Sequence, residues 1–347
     1  MKLSADLTQA LERIACWQRA QRDGTDPTSR LFSADRAEAP AVPEALPFRR
    51  EERRMLAEDA RAGRIERLRR GVYMVPHTPT GLTAPDRETT ALRRVRGVVE
   101  SSNANVCFSH ATAALLHGCW LFDVPDTVHV TYTGKPHIAQ AKADDVRKHW
   151  KRLDACHRTA VGQVPVTTLE RTAVDCARLL RFDSGVVLVT SAFRRGADPA
   201  VVGEILGASG GARGIVTARA VVEAVDPGCA SPGEVLVHQA ARRLRPQGLA
   251  TQIPVPTRRG VCWVDSGWTD LKIGFEFNGA VKFSGGDFGD PETRRKEQSA
   301  RTQALTEAGW WIVDLQWSDV IDQEALDVTL RQSLVDGRRR HTPTPPR

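Results

Sequence analysis

Apolar positions along this chain recur with two spacings, near 3.6 and near 2, and the switches between them predict its elements. Residues 3–22 read as a helix, whereas 23–47 are Ala- and Pro-rich without an apolar period and read as a linker. From Phe48 the run FRREERRMLAEDARAG predicts a basic helix ending at Gly63. It leads into RIERLRRGVYMV, an Arg-rich strand-like stretch with Gly71 as a turn residue. A helix followed by such a basic wing is how a winged helix-turn-helix ends, and a solvated charged helix on a small domain explains the same run.

Between 85 and 225 helix and strand signals mix. A helix is expected near 86–100, and Ser109 is placed to cap a short helix, ATAALLH, that stops at Gly118. Strands are expected at 128–133 and near 161–166. Thr167 and Glu170 have capping-box spacing before a helix in which Leu169, Ala173, Cys176, Ala177 and Leu180 share a face. Residues 199–224 read as two short helices about the turn ASGGARG, and DPGCASP at 226–232 reads as a boundary.

The last third has the clearest order. Ser231-Pro232-Gly233-Glu234 opens a helix running to about Arg245. Strands follow at 250–256, 261–265 and 271–277, then a Gly-rich loop, a helix at 292–308, a strand at 310–317 and an amphipathic helix at 318–335. The sequence of elements is α-β-β-β-α-β-α. The whole chain therefore reads as mixed α/β (α+β), with an N-terminal helix and linker (1–47), a winged-helix-like unit (48–84), a middle α/β domain (85–225), a C-terminal αβββαβ domain (231–337) and a disordered basic tail (338–347).

Composition narrows the function classes. A chain of 347 residues with 41% hydrophobic and 26% charged residues is globular and long enough for two or three domains. No apolar run reaches the ~18–20 residues of a membrane span, and the N-terminus carries acids where a leader would be apolar, so a cytoplasmic protein with no membrane partner is expected. Seven scattered cysteines without a C-x-x-C pair read as free thiols. Net charge is +7, and only 8 of the 49 basic residues are Lys. Guanidinium forks suit phosphate, although the GC-rich coding that also enriches Ala, Gly and Pro gives the same bias.

Candidate chemistry lies in the last third. In LKIGFEFN, Ile273, Phe275 and Phe277 point one way, and Lys272, Gly274, Glu276 and Asn278 the other. Asp265 ends the preceding strand, at a distance along the chain that suits a short hairpin placing it beside Glu276. Two carboxylates that close are unfavourable without a cation, and Mg²⁺ is satisfied by one or two carboxylates, waters and phosphate oxygens.

Four motifs carry a resemblance over residues 231–320: Ser231-Pro232-Gly233-Glu234; Trp263-Val264-Asp265; Phe275-Glu276-Phe277-Asn278-Gly279; and Arg301 through Leu305 to Gly309-Trp310. In order and element context they resemble the PD-(D/E)XK nuclease superfamily, and within it the very-short-patch-repair-related endonuclease-like domain. The first half, through LRRGVY, FSHATAALLHG and PVTTLERTAVDCA, is similar to the N-terminal region of abortive-infection (type IV) antitoxins. The resemblance implies a restriction-endonuclease-like fold acting on DNA, with Asp265 and Glu276 as ligands of Mg²⁺, for which Mn²⁺ can substitute. It makes Glu234 an accessory acid, although a capping glutamate explains that residue equally. Where the family has Asp before Gly, and the superfamily Lys, this chain has Asn278, which can neither add charge at a metal nor act as a base. Lys282 is the nearest cation for orienting a water or contacting phosphate, or else a surface lysine.

Arg294, Arg295, Lys296 and Arg301 on the following helix, with Arg67, Arg69 and Arg70 on the basic wing, are the expected nucleic-acid contacts. A solvated face explains them too. Trp310, Trp311 and Trp317 suit core packing before base stacking. Cys107, His110, His117 and Cys119 are zinc-type ligands at a spacing no standard site uses. The expected function is metal-dependent phosphodiester hydrolysis in defence, toxin-antitoxin or DNA-processing biology. The alternative is a non-catalytic antitoxin or regulator partnered by a nucleotidyltransferase-like toxin.

Overall fold

The computed structural model of the chain describes residues 3–26, 39–46, 52–78, 84–101, 106–132, 145–150, 153–279 and 291–341. The protein is mixed α/β, and it divides into two compact units: Met1–Arg19 with Ala34–Glu223, and Ala20–Ser33 with Ala224–Arg347. No helix among the described residues is long and apolar enough to cross a membrane.

In the first unit, helix α1 (Ala5–Arg22) buries Leu7, Ala10, Leu11 and Ile14, the i, i+3, i+4, i+7 pattern of one helical stripe. Helix α2 (Arg53–Arg61) precedes an antiparallel hairpin of β1 (Glu66–Arg69) and β2 (Val72–Met74). Gly71 makes that turn with φ 80°, a left-handed conformation that costs glycine nothing. After α3 (Ala84–Ser101) comes a five-stranded sheet: β3 (Val106–Phe108), β4 (Val128–Tyr132), β5 (Val146–Trp150), β6 (Arg158–Val161) and β7 (Val164–Thr167), in spatial order β5-β4-β3-β7-β6. Helix α4 (His110–Leu116) follows β3, and α5 (Leu169–Leu179), α6 (Phe182–Arg194), α7 (Pro199–Ala208) and α8 (Ile215–Ala224) follow the sheet. Val95, Phe108, Leu116, Val130 and Val166 lie in a common core.

Three local expectations change here. Ser109 flanks α4 without a side-chain cap, because its Oγ instead accepts the Thr131 hydroxyl at 2.8 Å. Thr168, one residue later than expected, caps α5 by accepting the Arg171 N–H, while Thr167 shares a hydrogen bond with Thr172 and Glu170 accepts from the Asp198 N–H. The strand expected near 161–166 is a hairpin, β6 and β7, turning at Gly162 with φ 58°. Strands β3 and β5 carried no signal: one is a three-residue fully apolar run, the other the largely polar VRKHW at the sheet edge.

In the second unit, Ser231 caps α9 (Pro232–Leu244) by accepting the Glu234 N–H. The sheet runs β8 (Leu249–Thr257), β9 (Gly260–Trp268), β10 (Ile273–Phe277) and β11 (Trp311–Leu315) in that spatial order. The first three strands form an antiparallel meander; β10 and β11 are parallel, and α10 (Pro291–Glu307) makes the crossover that a parallel pair requires. Alternation sets the layers. Ile273 and Phe277 pack against Gly337 of helix α12 (Gln323–His341) and Gly233 of α9. On the other face Val264, Ile253 and Val255 pack with Leu305 of α10 and with Trp310. The sheet thus lies between α9 and α12 on one side and α10 on the other. The single helix expected at 318–335 is two, α11 (Trp317–Ile321) and α12, divided at Asp322, whose carboxylate accepts the N–H groups of Glu324 and Ala325.

Candidate functional site

The polar face of β10 is the one under α10, and Glu276 is only 2% exposed there. Strand pairing determines its neighbours. The β9/β10 ladder pairs Phe275 with Ser266, and its next step brings Asp265 level with Glu276. The parallel ladder on the other side pairs Glu276 with Asp314. In the β8/β9 ladder Thr251 pairs with Ser266 and Ile253 with Val264, so Gln252 stands level with Asp265. Asp265 and Asp314 thus lie on either side of Glu276, near enough that both charges act on its carboxyl, and Gln252, level with Asp265, has a left-handed φ of 46°. Asp265 Oδ2 accepts the Phe277 backbone N–H at 3.1 Å.

The electrostatics follow from this crowding. Burial pushes the Glu276 carboxyl up to about 7, the Asp265 charge pushes it the same way, the Arg301 guanidinium and the Gln298 amide oppose the rise, and Asp314 adds to it. Arg301 Nη1 lies 2.9 Å from Glu276 Oε2, the same guanidinium donates to the Trp263 carbonyl, and Gln298 Nε2 donates to Oε2 at 3.4 Å. Glu276 Oε1 is buried with no hydrogen-bond partner among the described residues. A buried acceptor left unsatisfied costs about 1–3 kcal/mol, so this oxygen is where a proton or a cation gains most.

The remaining expected residues divide. Asn278 sits at the end of β10, its Nδ2 donating to Asp314 Oδ1 at 3.2 Å and its N–H to the Leu315 carbonyl at 2.8 Å. Glu234 works as a cap: its carboxylate accepts the Ser231 hydroxyl at 2.9 Å and the Ala230 N–H at 2.8 Å. Lys282 lies outside the described residues, and so do the side chains of Arg294 and Arg295 in the first turns of α10. Lys296 is exposed and pairs with Glu292 at 2.8 Å. Arg301 is turned onto Glu276 instead of outward. On the first unit's hairpin Arg67 and Arg70 are exposed, whereas Arg69 pairs with Asp145 at 2.5 Å and lays its stem against Gly97. Trp310 is in the core and Trp317 packs edge-on against Phe277, with ring centroids 5.0 Å apart. Asp314 and Gln298 went unread in the sequence; the one signal was a lone acid inside the apolar strand WWIVDLQW.

The Cys107, His110, His117 and Cys119 group does not form a site. His117 Nε2 is 2.7 Å from the Thr167 carbonyl, Cys107 Sγ donates weakly to the Phe108 carbonyl, and burial pushes the Cys119 thiol up to about 12. Among the described residues the metal-capable cluster is instead His110, His129 and His149.

No protein-family model matches this chain, and no curated protein or solved structure matches it either.

Proposed function

We propose that the second unit is a metal-dependent endonuclease-type domain that hydrolyses phosphodiester bonds in DNA, of the PD-(D/E)XK kind that its motifs resemble. The observation that carries the reading is the crowding of Asp265 and Asp314 about the buried Glu276, whose Oε1 has no hydrogen-bond partner among the described residues. The α-β-β-β-α-β order around a three-layer core supports it. The donor set fits Mg²⁺ or Mn²⁺, since it consists of hard carboxylate oxygens, of which the Arg301 guanidinium meets one on Glu276.

Asp265 and Glu276 would hold the ion, with Asp314 supplying the third negative charge that Asn278 does not. Such an ion acidifies a bound water and offsets charge on the scissile phosphate. Arg301 keeps Glu276 ionisable in its buried setting, and Gln298 fixes the Oε2 oxygen so that Oε1 is the free edge. Asn278 positions Asp314 by its amide and carries no proton in the reaction.

A second reading rests on two specific contacts. Arg301 already neutralises Glu276, and Asn278 replaces an acid, which favours a binding module without catalysis: an antitoxin or regulator that engages DNA or a nucleotidyltransferase-like toxin. Purified protein on supercoiled plasmid and single-stranded DNA with Mg²⁺ or Mn²⁺, beside Asp265→Ala and Glu276→Ala, separates the two. Cleavage abolished by both substitutions supports the nuclease. A DNA mobility shift without cutting under either metal supports the binding module.

A further inference from the structure

Three imidazoles from separate elements of the first unit meet on one face of its sheet. His129 is on β4 and His149 on β5, and the parallel register pairs Thr131 with His149, so the two histidines are diagonal neighbours on the same side. His110 opens α4 with φ 53°, a left-handed conformation uncommon outside glycine. Its ring stacks on that of His149, with centroids 3.7 Å apart. One nitrogen from each ring lies within 4.8 Å of the other two.

We propose that His110, His129 and His149 form a binding site for a divalent, imidazole-preferring transition-metal ion such as Zn²⁺, with a fourth position open to water or an exogenous ligand. Two nitrogens bound to one zinc at about 2.0–2.1 Å and at the tetrahedral angle stand about 3.3–3.4 Å apart. His149 Nε2 and His129 Nδ1 are already 3.3 Å apart. A hydrogen bond between two neutral rings accounts for that pair alone. It leaves unexplained why a third imidazole is brought in on a strained backbone.

The surroundings fit a metal centre. His110 Nδ1 contacts Ser109 Oγ at 3.0 Å, which leaves Nε2 to ligate, and the Thr131 hydroxyl fixes Ser109 in turn. Such outer hydrogen bonds set the orientation of metal-bound histidines. The His129 ring is buried and those of His110 and His149 are partly buried. Arg171 and Arg178 place positive charge near His110, but both pair with Asp175, at 2.6 and 3.4 Å; Arg147 places positive charge near His129 and His149 and is itself exposed to solvent. Ligation turns the His110 ring out of its stack, since parallel rings direct their lone pairs side by side. An all-nitrogen donor set selects zinc, copper, nickel, cobalt or iron over Mg²⁺.

The test is a Co²⁺ titration of the full chain, stripped of metal by chelation, followed by its visible absorption. The expected result is one Co²⁺ per chain beyond any held by Asp265 and Glu276, with no thiolate charge-transfer band and displacement by Zn²⁺. His129→Gln and His149→Gln should each weaken binding on the order of 100-fold or more, since loss of a direct ligand exceeds the 10–100-fold typical of outer partners. His157→Gln, outside the cluster, should leave it unchanged. Zinc-edge X-ray absorption on the unaltered protein, which needs no variant to fold, should report a nitrogen and oxygen shell. Failure to bind, binding that both substitutions leave untouched, or a sulfur shell from the free cysteines overturns the proposal.

Discussion

The backbone N–H of Phe277 donates to the carboxylate of Asp265 at 3.1 Å, across the β9/β10 strand pair, and this anchors the acid of β9 beside Glu276. One carboxylate is thereby held by the main chain, while the next is buried with one oxygen that has no hydrogen-bond partner among the described residues. The consequences can be measured separately.

Folding in the absence of divalent ions should become less favourable as pH rises from about 4.5 to about 7. Glu276 holds its proton up to about 7 in the folded protein, whereas unfolded glutamate loses it near 4.5, so the folded state binds more protons in that window. The stability present below pH 4.5 should fall by roughly 2–4 kcal/mol through pH 7 and then level off. Urea unfolding of the wild type against Glu276→Gln isolates the effect. Identical pH slopes in the two proteins would contradict it.

Arg301→Gln should destabilise the second unit at pH 8 and much less at pH 5, where Glu276 carries a proton and needs no counter-charge. With Glu276 buried but Arg301 one-third exposed, the loss at pH 8 should be about 1–3 kcal/mol, below that of a fully buried pair. Denaturation at the two pH values checks it, and a loss independent of pH would mean that Arg301 matters only through its bond to the Trp263 carbonyl.

Asn278→Asp exchanges an amide that donates to Asp314 for a second carboxylate facing it. Without metal the variant should be less stable by on the order of 1 kcal/mol, because Asp314 is exposed and its charge is screened. Added Mg²⁺ should restore the melting temperature more than it does for the wild type. Equal responses to Mg²⁺ would argue against an ion beside these residues.

Gly233→Ala tests how α9 is seated on the sheet. A Cβ at 233 would lie 2.3 Å from the Phe277 ring, closer than any side chain tolerates. The expected cost is about 1–3 kcal/mol, from overpacking. Phe277→Leu in the same chain should recover part of it, and a double-mutant cycle with additive losses would show that the two do not meet.

What the sequence disclosed depended on the range of the interaction. Asp265 and Glu276 were legible because both lie on consecutive strands, where alternation and a short connection determine the pairing. Asp314 was not, because its register with Glu276 is set after a helical crossover, and no spacing rule spans that distance. His129 and His149 escaped for a similar reason: each is a lone histidine in a short strand, and only the parallel pairing of β4 with β5 unites them with His110. Capping signals failed where tertiary partners competed, as when the Thr131 hydroxyl took the Ser109 oxygen expected at the start of α4.

The most direct test of the account is calorimetric titration of Mg²⁺, which the nitrogen-only cluster of the first unit disfavours, into the full chain and into Asp265→Ala and Glu276→Ala. The account predicts one Mg²⁺ site per chain, lost in both variants whose folding is verified by circular dichroism. Absence of binding in the wild type, or binding retained by both variants, would contradict it.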